Sequence, residues 1–119
     1  MNVSTNATRK DIGIVIKEYT ARFEERHFKH IDLYGEGVKD RLCGRHETQL
    51  WSKFSYGPGN RGASIRIPTQ CHGDGYGYFE DRRPGANTNP YVTTGAITDT
   101  MLGLKKKEFD EMVANYKSL

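Results

Sequence analysis

The stretch "GYFEDRRPGANTNPY", Gly77 to Tyr91, sets two carboxylates beside two arginines and then stops them with a proline. In an extended chain successive side chains point to opposite faces, so Tyr76, Tyr78, Glu80 and Arg82 share one side. Gly77, Phe79, Asp81 and Arg83 share the other. Pro84 offers no ladder donor and ends the strand. Asn89-Pro90 then reads as a helix start, with Asn as N-cap and Pro in the first helical position. Working backwards, residues 63–67 alternate too: Ala63, Ile65 and Ile67 one way, Ser64 and Arg66 the other. The glycine-rich "CHGDGYG" between the two segments predicts a turn, and the two strands around it a hairpin. With the strands in register, Arg66 stands near Glu80 and Arg82.

Further out the pattern is helical. Ile12, Ile16, Tyr19 and Phe23 recur at helical spacing, which predicts a helix from about Lys10 to about His30 with a break near Arg26. The charged residues around Glu24-Glu25 read as its solvated face. Residues 34–62 hold too much glycine for regular structure, and Glu36, Arg41, Arg45, His46 and Glu47 sit within them. A loop of that length inside a compact domain is often functional. After Pro90, Tyr91, Thr94, Ile97 and Met101 line one face of a helix that Gly103 ends. Phe109, Met112, Val113 and Tyr116 form the apolar stripe of a last amphipathic helix. The expected fold class is α+β: a piece of antiparallel sheet, flanking helices and a long flap loop.

Composition bounds the function. The chain has 119 residues, 35% of them hydrophobic, which is one domain with a thin core. The net charge of +3 is mild, and only Lys105-Lys106-Lys107 forms a basic run, so nucleic acid is not an expected partner. No apolar run reaches membrane-spanning length and no apolar leader opens the chain, so the expected setting is the cytoplasm without a membrane partner. Cys43 and Cys71 are too few and too far apart for a disulfide framework or a metal pair. His46 has no second ligand at metal spacing.

The charged residues themselves allow two readings. Arg66 and Arg82 flanking Glu80 suit a small anion held bidentately, a phosphate or a carboxylate. The carboxylate between them suits a hard divalent cation such as Mg²⁺ or Mn²⁺, which prefers oxygen ligands and travels with phosphates. Ser64 adds a hydroxyl on the same side. The other reading is a row of exposed cross-strand ion pairs, worth under about 1 kcal/mol each. The glycine-rich loop favours the first, since a closing loop that carries a carboxylate can exclude water and present a base.

Taken together, "YGEG", "RLCGRHET", "NRGASIR" and "GYFEDRRPxxNxxPY" occur in an order that resembles the C-terminal catalytic segment of glutamine synthetase, in its eukaryotic-type (type II) branch. The resemblance runs from about Asn2 to about Leu102, and "NVST" is similar to the end of the family's "H-x-N-x-S-T" element. It implies residues 1–103 as a partial catalytic domain and residues 104–119 as an added helix. It further implies ATP-dependent joining of ammonia to glutamate through γ-glutamyl phosphate, with ATP and Mg²⁺ or Mn²⁺. By the same resemblance Arg41 holds the glutamate carboxylate. Glu47 is the flap glutamate that closes the site and helps take a proton from ammonium. Arg61 and Arg66 hold the ATP phosphates and the transferring phosphoryl group, with Ser64 beside them. Glu80 is a metal ligand, and Arg82 faces the γ-phosphate and the γ-carboxyl oxygens. Asn2 and Ser4 correspond to polar positions near the ligand.

The chain departs from the family pattern at "SIRIPTQ", where Pro68 and Thr69 replace an arginine-bearing stretch, at "FSYGPGNRG", and at Asn89, where aspartate is usual. The family's remaining metal ligands and its N-terminal domain would precede Met1. One carboxylate cannot hold two or three ions through several steps. The expectation is therefore a glutamine synthetase segment that is inactive alone, or one completed by a homo-oligomer or a complementing chain. The alternative is a non-catalytic protein that binds full-length glutamine synthetase or a nucleotide. The family's sheet also implies an exposed strand edge here.

Overall fold

The computed structural model describes residues 1–35, 37–45 and 48–117. Its elements are β1 (Asn2–Val3), a π-helical stretch (Val15–Tyr19) running into α1 (Thr20–Glu25), then α2 (His27–Leu33), α3 (Val38–Arg41) and β2 (Tyr56–Pro58). They continue with β3 (Ile65–Ile67), α4 (Thr69–Asp74), β4 (Phe79–Asp81), α5 (Pro90–Met101) and α6 (Lys106–Lys117). The class is α+β, with a four-stranded sheet in the order β1-β4-β3-β2.

β3 and β4 pair antiparallel with Arg66 opposite Glu80 and Ile65 opposite Asp81. That is the register assumed in placing Arg66 near Glu80 from the sequence. β1 adds to the far side of β4, placing Asn2 opposite Glu80. The sheet is mixed rather than antiparallel throughout, because β2 runs parallel to β3. The expected tight hairpin turn is also replaced. Residues 69–74 form the short helix α4, which Gly75 ends in a left-handed conformation at φ 84° with its amide bonded to the Cys71 carbonyl. Gly77 at φ 139° completes the reversal, and a Cβ there would lie 2.6 Å from the Cys71 sulfur. Glycine spacing in this segment thus serves a helix stop and a close approach instead of a two-residue turn.

The first helical region breaks at Arg26 (φ −103°, ψ 13°), as read from the sequence. It begins later than Lys10, because Thr5 and Thr8 exchange amide-to-hydroxyl bonds of 2.8 and 3.0 Å and hold residues 5–8 in a turn. The π-helical turn shifts the helix phase. Val15 therefore enters the core while Ile16, expected on the apolar stripe, stays 39% exposed. Just before the break Glu24 and Glu25 face solvent, but Arg26 and His27 are buried, against the expectation that the neighbouring basic residues are solvated too. The Arg26 guanidinium donates to the Leu104 carbonyl and lies 4.7 Å from the Phe109 ring centre, so it serves the helix end it covers.

Two apolar clusters result. Ile12, Val15, Tyr19, Phe23, Ile65, Ile67, Phe79 and Ile97 form one. Ile31, Leu33, Tyr34, Val38, Leu42, Ala96, Phe109 and Val113 form the other. α6 joins the second through its amphipathic stripe. α5 starts where Asn89-Pro90 placed it, with the Asn89 side chain accepting from the amides of Tyr91 and Val92. Its buried face is Thr93, Ala96, Ile97 and Thr100, while Tyr91 and Thr94 are exposed, so the expected stripe is turned by one position. Small residues won because α1, α2 and α6 all contact this helix. The segment 34–62 is not structureless either: it contains α3 and β2.

Candidate functional site

β4 presents two opposed chemistries from one tripeptide. On its open face the Glu80 carboxylate lies 3.1 Å from an Arg66 guanidinium nitrogen and 3.6 Å from one of Arg82. All three side chains are only partly covered. Arg66 Nε is buried without a hydrogen-bond partner. On the inner face Asp81 and Arg83 form a fully buried pair. Arg83 Nε donates to Asp81 Oδ1 at 2.9 Å and its terminal nitrogen to Oδ2 at 2.8 Å. Alternation in "FEDRR" thus separates an accessible cluster from a core ion pair, as the sequence implied.

Arg41 ends α3 and reaches across to β4. Its guanidinium donates to the carbonyls of Arg82, Arg83 and Pro84 at 3.3, 2.5 and 3.3 Å. Arg41, Arg82 and Ser64 line one narrow cleft, together with Lys53 and His27. Ser64 is buried, and its hydroxyl oxygen accepts the Ser55 amide at 3.2 Å, which fastens the approach to β2 onto β3. Arg61 sits at the surface in the turn between β2 and β3. Asn60 shapes that turn by accepting the Gly62 amide at 2.9 Å. Asn2 lies beside Glu80 through the β1 register, and Ser4 follows on the same strand edge. Glu47 and His46 lie outside the described residues.

His27 and Lys53 were not singled out from the sequence. Neither belongs to a motif, and both reach the cleft only because α2 and residues 48–53 fold against the Ser64 and Arg82 side of the sheet. Behind the cleft lies a buried polar chain. Arg83 approaches His27 Nδ1 at 3.0 Å, and His27 Nε2 meets the Trp51 carbonyl at 2.6 Å. Tyr34 donates to Asp81 Oδ2 at 2.9 Å, its hydroxyl lies 2.5 Å from His30 Nδ1, and His30 Nε2 lies 2.8 Å from the Thr100 hydroxyl. Burial, followed by the Arg83 charge, pushes His30 well below the ordinary imidazole value. Burial raises the Asp81 carboxyl, but the charge and hydrogen bonds of Arg83 outweigh that and hold it below its ordinary value. Burial and the Asp81 charge push the Tyr34 phenol well up.

The donor set suits oxyanions better than a metal ion. Among the described residues no group of three or more His, Cys, Asp or Glu converges, and Glu80 already has two guanidiniums beside it. A cation at Glu80 alone would sit against both positive charges. Guanidiniums in a partly covered site are instead matched to phosphate or carboxylate oxygens.

The unit is α+β, with Arg66 and Arg82 flanking Glu80 on one sheet face. Comparison with known proteins gives the family. Over 103 residues, 86% of this chain, it is 55% identical to a glutamine synthetase of Emericella nidulans and covers 29% of that protein. It is 52% identical over 103 residues to the Neurospora crassa glutamine synthetase, covering 28% of it. It is 47% identical over 102 residues to a protein named glutamine synthetase cytosolic isozyme from Daucus carota, covering 29%. No family model matches the chain. The matched residues belong to the glutamine synthetase family, and the chain spans a little under a third of the length of the relatives it matches. No helix among the described residues is long and apolar enough to cross a membrane.

Proposed function

We propose that this chain supplies part of a glutamate–ammonia ligase site, in which ATP drives amide formation through γ-glutamyl phosphate. The observation that carries this is the Arg66–Glu80–Arg82 cluster on one sheet face, with Arg41 held against the same strand. Arg61, Arg66 and Ser64 take the phosphate side. Arg41 and Arg82 take the glutamate carboxyl groups, with Arg82 also reaching the transferring phosphoryl group. Glu47 receives the proton that ammonium must lose before its nitrogen can attack. In such a reaction positioning and charge neutralisation supply most of the acceleration, and fixed guanidiniums do both.

The family's chemistry also uses Mg²⁺ or Mn²⁺. Glu80 is this chain's candidate ligand, and one carboxylate between two arginines needs oxygen donors from elsewhere. The site is therefore completed by further protein, in a homo-oligomer or with a complementing chain. Residues 1–103 form the catalytic segment and residues 104–119 the added helix. The cytosolic name of the Daucus carota relative supports a cytoplasmic setting.

Glutamine formation assayed with the purified chain, alone and mixed with a glutamine synthetase lacking the matched segment, tests this. We expect no turnover alone, turnover in the mixture, and a loss of at least about a hundredfold with Arg82→Ala, as for loss of one oxyanion-stabilising donor. Association without turnover would remove the reading. ATP affinity without turnover would favour a non-catalytic nucleotide-binding protein.

A further inference from the structure

The buried polar chain fixes its own proton positions. The Trp51 carbonyl can only accept, so His27 Nε2 carries the hydrogen in the 2.6 Å contact. His27 Nδ1 then has a lone pair, which accepts from Arg83 at 3.0 Å. The Asp81 carboxylate can only accept, so Tyr34 spends its single hydroxyl hydrogen on Oδ2. Its oxygen must therefore receive the hydrogen of His30 Nδ1; burial disfavours a second proton on that ring, which leaves Nε2 to accept from Thr100. The two histidines are both neutral and are opposite tautomers, His27 with hydrogen on Nε2 and His30 with hydrogen on Nδ1.

Trp51 is a junction. Its amide donates to the Leu42 carbonyl at 2.8 Å, closing the loop that follows α3, and the Lys39 ammonium of α3 lies 4.3 Å from its ring centre. Its carbonyl is the acceptor for His27. Trp51 is thus tied through one imidazole to Arg83, the residue next to Arg82.

We propose that His27 is a positioning residue, whose neutral Nε2–H imidazole clamps Trp51, and with it the Trp51–Leu42 bond, to the strand that presents Glu80 and Arg82. A proton on Nδ1 would remove the acceptor for Arg83 and set two cations face to face. The groups around the imidazole do not offset this. Arg83, Arg41, Lys53 and Arg82 are cationic neighbours in or behind the cleft, and neutral His30 lies further along α2. Asp81 is already saturated by Arg83 and Tyr34, and Glu24 on the preceding turn is in solvent. The clamp rests on the proposed site for its role in catalysis, but not for its existence.

The test is therefore made without turnover, by NMR on the full 119-residue chain. Two-bond ¹H–¹⁵N spectra at pH 7 should show His27 protonated on Nε2 and His30 on Nδ1. Amide exchange of Trp51, corrected for the intrinsic pH dependence, should rise about tenfold per pH unit once solution pH falls below the ordinary histidine value, since opening is then linked to uptake of one proton. His27→Gln keeps a donor for Trp51 and an acceptor for Arg83 without titrating, so it should retain slow exchange and lose the pH dependence. His27→Phe should exchange fast at both pH values. Should His27→Phe fail to fold, His27→Gln decides. A charged or Nδ1-protonated His27 at pH 7, or an unchanged pH dependence in His27→Gln, overturns the clamp. Loss of glutamine formation in the mixture with these NMR results intact would count against the catalytic reading alone.

Discussion

Asp81 and Arg83 are one and three residues from Glu80, yet their chemistry is opposite to its own. Glu80, Arg66 and Arg82 keep solvent access, so Glu80→Gln should cost under about 1 kcal/mol in urea unfolding. Asp81→Asn leaves Arg83 charged and buried, and should cost about 3–5 kcal/mol. Against a total stability of about 5–15 kcal/mol for a domain of this kind, that is a large fraction. Equal losses for the two variants would contradict the separation of faces. The histidines give a pH dependence of definite sign. Burial lowers the values of His27 and His30 in the folded chain, whereas in the unfolded chain both take up protons near 6.5. The unfolded chain then binds more protons, so stability is flat above that pH and falls as pH drops below it. Each histidine contributes up to about 1.4 kcal/mol per pH unit over that window. Urea midpoints measured between pH 8 and pH 5 should show the fall, and midpoints that rise on acidification would contradict neutral buried imidazoles.

Among the elements, α5 and α6 show how differently two helices are held. Asn89 caps α5 from solvent, and Asn89→Ala should lower stability by about 1 kcal/mol. Phe109 of α6 is fully buried, stacks on His30 at 5.6 Å between ring centres and lies under the Arg26 guanidinium. Phe109→Ala should cost about 3–5 kcal/mol. If Phe109→Ala costs no more than Asn89→Ala by calorimetry, α6 is an appendage rather than part of the core. The cap was legible because Asn-Pro has one local meaning. The face of α5 was not, since Thr93 and Thr100 look solvent-facing until His30 and α6 are known to lie against them. The π-helical turn before α1 was equally invisible. It depends on which residues the sheet and α5 can accommodate, not on local propensity.

At the level of the chain, both ends of the described sheet, β1 and β2, carry unpaired strand edges, and the cleft gathers the cations Arg41, Lys53, Arg82 and Arg83 from three segments with no carboxylate among the described residues of its lining. Native mass spectrometry of the protein from its own source should therefore find it within a larger assembly that contains further glutamine synthetase sequence. A bare monomer would contradict completion of the site by other protein.

Alternation in "ASIRI" and "FEDRR" was enough to assign which side chains share a face, because a strand has a period of two, but Arg66 stood near Glu80 only on an assumed register, which the fold supplied. Motif order was enough for the family. Folding alone brought Arg41 onto the carbonyls of residues 82–84, sank Arg26, His27 and His30 into the interior, and joined Trp51 to Arg83. Those contacts span tens of residues between helices and loops. Their partners are chosen by which buried donors and acceptors find one another, a choice that no local pattern encodes.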